Sequence, residues 1–228
     1  MWSMPWNGLG LLFDLDGTLV DSSAPIERHT RQWADRHGLE AAEVLELSHG
    51  RRDRDIVSRY VPEQAVEAEL TWLYELSCRD TEGVSAVPGS LELLYQLPTE
   101  SWGIVTSAER EVAVARLLAC GLPLPRVLVT ASDVSRGKPD PEGFLKAAAG
   151  LGVSPFRCLV FEDAPAGLRA AHDAGMQAVR VGPDISSADF FPCVSSFKDA
   201  ELDIDESGAR PLLSLTFGAL ERLAEPVR

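Results

Sequence analysis

Long apolar runs, lysines and paired cysteines are what this sequence is short of, and each shortage removes a class of protein. No hydrophobic stretch approaches the length needed to span a bilayer. The opening residues Met-Trp-Ser-Met-Pro-Trp-Asn carry no basic segment of a signal peptide. Cys78, Cys120, Cys158 and Cys193 are scattered, with no C-x-x-C pair and no histidine at zinc spacing. Reduced cysteines in a cytoplasmic protein are therefore expected, not a disulfide framework. Of the 21 basic residues only Lys138, Lys146 and Lys198 are lysines, and the 35 acids leave a formal net charge of -14. That balance argues against a nucleic-acid backbone or an anionic membrane as the main partner. It leaves room for an anionic small substrate, because a metal and a few cations reverse the potential locally.

What is present is an ordinary globular composition, 45% hydrophobic and 25% charged over 228 residues. This is enough for one large α/β domain or a core carrying a small insert. The most informative stretch is Gly10-Leu11-Leu12-Phe13-Asp14-Leu15-Asp16-Gly17-Thr18-Leu19-Val20-Asp21-Ser22. Its apolar run is too short for a helix and ends in two carboxylates and a glycine turn, which reads as a buried strand delivering acids to its carboxyl end. Ligands bind at that edge of open α/β sheets. Asp14 and Asp16 leave the strand on the same face, two residues apart, so they need a counterion, a shared proton or different jobs. A solvated acidic turn is the bland alternative, but D-x-D-G-T arises by chance in only about one chain in a thousand of this length.

Downstream, helices are expected over Pro25–Gly38, Glu40–Leu47, Asp53–Tyr60 and Pro62–Arg79, with no strand pattern between them. Residues 20–85 thus form an all-helical block. The pattern then alternates: helix Ser90–Leu97, strand Trp102–Thr106, helix Glu109–Cys120, strand Val127–Val129, helix Pro141–Leu151, strand Cys158–Phe161, helix Pro165–Ala174, strand Ala178–Val181. This predicts an α/β fold, a parallel sheet covered by helices on both faces, with the helical block inserted after the first strand. Beyond residue 183, a short strand within Phe190–Val194 and a last helix over Leu212–Leu223 are expected, with structural roles only.

Three later strand ends carry chemistry. Thr106-Ser107-Ala108 offers hydroxyls and backbone N–H groups ahead of a helix, where an oxyanion binds, although capping alone explains such residues. Arg136-Gly137-Lys138-Pro139-Asp140-Pro141 sets a lysine in a stiffened turn, whereas Lys146 and Lys198 read as solvated. Phe161-Glu162-Asp163-Ala164-Pro165-Ala166-Gly167 repeats the acid pair at a strand end, with proline at a helix start. Acids, hydroxyls, lysine and acids again fall on one edge of one sheet.

Those motifs, F-D-L-D-G-T-L-V-D-S, V-T-S, G-K-P-D-P and F-E-D-A-P-A-G, in that order and spacing, resemble the haloacid dehalogenase-like hydrolase superfamily over residues 9–182. The helical insert resembles the C1-type cap of the phosphoglucomutase-like branch. Within that branch E-R-H-T-R-Q-W-A-D-R-H-G-L, L-S-H-G-R-R and E-G-V-S-A-V-P-G are most similar to hexose and deoxyhexose phosphate phosphatases and to glycerol phosphate phosphatases. The resemblance implies a Rossmann-like core of residues 1–19 and 86–228 and a cap of residues 20–85. It implies Asp14 as a nucleophile forming an aspartyl-phosphate and Asp16 as acid and then base. Mg²⁺ would be held by Asp14, the Asp16 carbonyl and Asp163, with Glu162 close by or acting through water. Thr106, Ser107 and Lys138 would hold the phosphoryl oxygens.

Asp16 speaks against a dehalogenase, which needs only the nucleophile, and the absence of lysine from residues 20–85 speaks against a phosphonate-cleaving Schiff-base enzyme. Where relatives usually read T-S-G-[ST], this chain has Glu109, expected to face outward at a helix start. In the cap, His49, Gly50 and Arg51 lie on a loop suited to contact substrate, and Glu27 is placed to accept a hydroxyl hydrogen bond, with salt-bridged roles equally open to them. His29, His37 and His172 are expected to do no catalysis, and Trp33 and Trp72 to be core or interface. The expectation is a cytoplasmic monomer hydrolysing a small sugar or polyol phosphate with Mg²⁺. A sugar phosphomutase and a catalytically idle binding module are the alternatives.

Overall fold

A computed structural model describes residues 6–182 and 191–217. A short strand β1 (Trp6–Gly8) precedes the acid-bearing strand β2 (Gly10–Phe13). β3 (Val20–Asp21) leads into four successive helices, α1 (Ser23–His37), α2 (Ala41–Ser48), α3 (Asp53–Tyr60) and α4 (Glu63–Arg79), and β4 (Ser85–Ala86) leads out. The alternating part follows as α5 (Ser90–Gln96), β5 (Trp102–Val105), α6 (Arg110–Ala119), β6 (Val127–Val129), α7 (Glu142–Leu151), β7 (Cys158–Glu162), α8 (Pro165–Asp173) and β8 (Gln177–Val181). The described chain closes with β9 (Cys193–Val194), β10 (Ala200–Asp205) and β11 (Leu212–Phe217).

Six strands form one parallel sheet in the order β6-β5-β2-β7-β8-β9. Phe13 is in register with Ile104 of β5 and Phe161 of β7, so three central strands finish at one edge. Every residue of β2, β5 and β7 is buried, as a sheet covered on both faces requires. Leu12, Val105 and Val160 pack under α7 and α8 with Phe144, Ala147 and Leu168. On the opposite face Leu11, Phe13 and Ile104 meet Leu93, Leu94, Ala113 and Leu117 of α5 and α6. Phe13 stacks on Phe161 with ring centroids 5.2 Å apart, so the strands carrying Asp14 and Asp163 share one rigid aromatic contact.

The C-terminal part differs from expectation. Residues 212–217 of the expected helix Leu212–Leu223 form strand β11, and the remainder lies outside the described residues. Buried Leu213, Leu215 and Phe217 alternate with half-buried Leu212, Ser214 and Thr216, a period of two that a helix cannot bury on one face. β11 pairs antiparallel with both β1 and β10, and this second sheet seals the same core as α5 and α6. Of the stretch Phe190–Val194, Phe190 lies outside the described residues and only Cys193–Val194 is strand.

The four inserted helices have their own core of Trp33, Ala34, Val44, Ile56, Val57, Val66 and Leu73. Trp72 packs partly buried on that cluster, beneath the Arg36 guanidinium. The chain entering this block and the chain leaving it pair antiparallel, Val20 with Ala86 and Asp21 with Ser85. That ribbon fixes the helices beside the strand edge where Asp14 emerges.

Candidate active site

Asp14 follows β2 and is tied to the neighbouring strand by its own N–H, which donates to the Phe161 carbonyl at 2.9 Å. Its side chain is buried, and Lys138 Nζ donates to Asp14 Oδ1 at 2.5 Å and to Glu162 Oε1 at 2.6 Å. Glu162, fully buried at the end of β7, accepts the Ala164 N–H on its other oxygen at 2.7 Å. Burial pushes the Asp14 carboxyl well above the usual range, with Lys138 opposing, and raises Glu162 for the same reason. Burial alone would favour neutral Lys138, but the two carboxylates outweigh it and its pKa is raised. Oxygens of Asp14, Glu162 and Asp163 lie within 4.8 Å of one another. This is a hard-donor cluster of the kind that suits a small divalent cation. Gly17, at φ +88°, passes so near that a Cβ would lie 2.0 Å from Asp163 Oδ2.

Asp16 sits in the turn after β2, and its Oδ1 accepts from Ser22 Oγ and from Arg116 Nη1, each at 2.6 Å. Its other oxygen has no partner among the described residues and Asp16 lines the cavity. Thr106 leaves β5 buried, its Oγ1 accepting the Ala108 N–H at 3.0 Å, and Ser107 Oγ donates to the Gly50 carbonyl at 2.9 Å. The first hydroxyl therefore shapes the turn and the second touches the helical block.

A cavity of about 370 Å³ lies between that block and the strand edge. Asp14, Asp16, Thr106, Ser107 and Asp163 line it from the core, and Glu27, His49, Gly50 and Arg51 from the helices. His49 Nε2 lies 2.8 Å from Asp163 Oδ2, and that hydrogen bond raises its pKa. Gly50, at φ +71°, approaches so closely that a Cβ would lie 2.5 Å from Ala164 Cβ. Glu27 is paired with Arg31 one turn on, whereas Arg51 makes no ion pair among the described residues. Lys138 stands behind Asp14 and lines a small pocket shared with Thr106 and Ser107. Glu109, expected to face outward, instead borders the cavity. It occupies the N-cap position of α6, which itself opens onto the cavity, so its placement follows the helix end.

Three participants escaped the sequence reading. Arg116 is buried on the face of α6 shared with Val112, Ala113 and Leu117, and a lone arginine among apolar positions was the available signal. Arg52 is gripped by Asp55 at 2.8 Å and 2.9 Å and donates to the Val134 carbonyl at 3.1 Å, fastening the helices to the loop before Lys138. Asp53, exposed at the start of α3, borders the cavity, and desolvation raises its carboxyl.

Arg116→Ala is expected to lower kcat tenfold to a hundredfold with KM nearly unchanged. A charged hydrogen bond is worth about 1.5–3 kcal/mol, and this one orients Asp16, the group assigned to the leaving oxygen. Steady-state kinetics on any accepted phosphate ester checks it; a rise confined to KM would contradict the assignment.

A parallel sheet with carboxylates at the ends of β2 and β7, facing an inserted block of four helices, defines a class. Residues 11–181 match the family model described as haloacid dehalogenase-like hydrolase, and the chain belongs to that family. It is similar to Hexitol phosphatase A of Escherichia coli (strain K12), 44% identical over 177 residues covering 75% of this chain and 82% of that protein. Glycerol-1-phosphate phosphohydrolase 2 of Saccharomyces cerevisiae is 35% identical over 182 residues, covering 75% and 73%. A solved hydrolase from Pseudomonas syringae shares 29% identity at a TM-score of 0.70, covering 78% of this chain and 87% of that one.

Proposed function

We propose that this chain is a Mg²⁺-dependent phosphatase of small sugar or polyol phosphates, with residues 20–85 acting as the cap over the site. The observation that carries the reading is that Asp14, backed by Lys138, and Asp16 line one cavity together. The relatives named above, whose names specify hexitol and glycerol 1-phosphate chemistry, support the substrate class.

In this reading Asp14 Oδ attacks phosphorus as the bond to the leaving oxygen breaks, and Asp16 passes its proton to that oxygen. A water then gives its proton to Asp16 while its oxygen attacks phosphorus, releasing inorganic phosphate and the Asp14 carboxylate. Lys138, Thr106 and the Ser107 N–H stabilise the charge that develops on the phosphoryl oxygens. Arg116 and Ser22 hold one Asp16 oxygen so that the other meets the leaving group. Asp14 and Asp163, steadied by Glu162 and joined by the Asp16 carbonyl, would hold the Mg²⁺. The bound cation supplies the positive charge that lets an anionic ester approach Asp14.

Phosphate release from a panel of hexitol, hexose, deoxyhexose, pentose and glycerol phosphates tests the proposal. Turnover of at least one with Mg²⁺ is expected; interconversion of sugar phosphates without net release identifies a mutase instead. EDTA is expected to remove more than nine-tenths of the activity and added Mg²⁺ to restore it. Undiminished activity in chelator contradicts the metal assignment.

A further inference from the structure

The mechanism leaves unused a polar chain in the cap that ends in the cavity. Ser77 on α4 and His29 on α1 both line it, together with the apolar side chains of Ile26 and Leu73. Ser77 Oγ lies 3.3 Å from His29 Nδ1, and His29 Nε2 lies 3.0 Å from Asp80 Oδ2. Asp80 is gripped by Arg28 through Nε at 3.1 Å and Nη2 at 2.8 Å, and it also accepts the Glu82 N–H at 3.1 Å. Arg28 holds the Asp80 carboxyl down at about 2, so Asp80 is an anion and accepts only. His29 is buried, and burial lowers its pKa against the pull of Asp80, with the Arg116 and Arg28 charges adding to the lowering.

The proton inventory then has one solution. Asp80 accepts a hydrogen bond from the Nε2–H of a neutral imidazole, which leaves a lone pair on Nδ1. The group facing that lone pair is the Ser77 hydroxyl, so its proton points to His29. The Ser77 oxygen turns only lone pairs toward the cavity. A hydroxyl free to rotate serves as donor or acceptor; this one is held as an acceptor. Glu27 and Asp53 add two more acceptors to the same cavity. These acceptors suit the hydroxyl groups of a polyol.

We propose that Asp80, His29 and Ser77 form a relay that fixes the Ser77 oxygen as the acceptor for a hydroxyl on the uncharged, polyhydroxylated part of the substrate. The relay makes Ser77 a specificity residue, and His29 and Asp80 positioning residues that act through it. The inference rests on the phosphatase reading and adds to it which end of the cavity reads the polyol.

The test uses the full chain with Mg²⁺ and compares a hexitol phosphate with p-nitrophenyl phosphate, which has no hydroxyl to offer. Ser77→Ala is expected to lower kcat/KM about tenfold on the hexitol ester and less than twofold on the aryl ester. Ser77→Thr keeps the hydroxyl and is expected to keep the ratio of the two rates. His29→Gln is expected to reproduce the Ser77→Ala loss, and the double variant to lose no more than either alone, since both break one relay. Equal losses on the two esters, or additive losses in the double variant, overturn the relay while leaving the phosphatase intact. Wild-type protein inert toward these two esters and toward every phosphate of the panel above overturns the phosphatase reading itself.

Discussion

Asp14→Asn is expected to lower kcat by about four orders of magnitude or more, with the fold retained. Removing a nucleophile costs most of the rate that covalent catalysis contributes. The amide keeps the shape and can still accept from Lys138, so the packing beneath it is undisturbed. Because Asp14 has its pKa raised by burial, folding favours its neutral form; its contribution to stability falls as pH climbs from the unfolded carboxylate range toward the raised native value. A neutral amide escapes that loss, so the metal-free variant should melt no lower than wild type near pH 7. Mg²⁺ should raise the wild-type melting temperature through binding to the native state alone, and the variant's by less. Calorimetric melts with and without Mg²⁺, beside a phosphate-release assay, check all three statements. Activity within tenfold of wild type would exclude Asp14 as nucleophile.

Lys138→Met combines two losses that come apart by measurement. The ammonium is 2.5 Å from Asp14 and 2.6 Å from Glu162, both buried, so its removal leaves two uncompensated acids facing each other. Breaking a buried ion pair from one side costs about 3–5 kcal/mol. In a domain of this size that is a fall of roughly 6–20 °C in melting temperature. Catalysis should fall by about a hundredfold to a thousandfold, the usual effect of deleting one charge-stabilising donor. Mg²⁺ should return part of the lost stability, because it neutralises the same acids, but not the rate. Full recovery of turnover with metal would mean that Lys138 only balances charge.

Both predictions concern residues that stood out in the sequence, and the reason is local. Asp14, Lys138, Glu162 and Asp163 each sit where an apolar strand or a stiff turn ends, so position along the chain announces position in space. The inserted helices were legible for a similar reason, with Asp53–Tyr60 found at its expected bounds. Leu212–Phe217 was not: leucine-rich six-residue stretches fit either period, and only pairing with Trp6–Gly8 and Ala200–Asp205 decides between them. Trp6–Gly8 itself is three residues, too few to show alternation. Arg116 belongs to the site through an approach from a helix a hundred residues after Asp16, which no spacing reveals. Glu109 departs from expectation because a helix start usually faces bulk solvent, whereas this one borders the cavity.

The pairing of β1 with β11 also governs how the molecule is made. Among the described residues β1 has no strand partner other than β11, so β1 stays unpaired until the residues of β11 have been synthesised. Such distant contacts slow folding. Until they form, the Phe13–Phe161 face lacks the cover that Leu213, Leu215 and Phe217 give it. Nascent chains halted before Leu212 should therefore display a sticky aromatic surface and recruit chaperones, even though every acid of the site has already been synthesised.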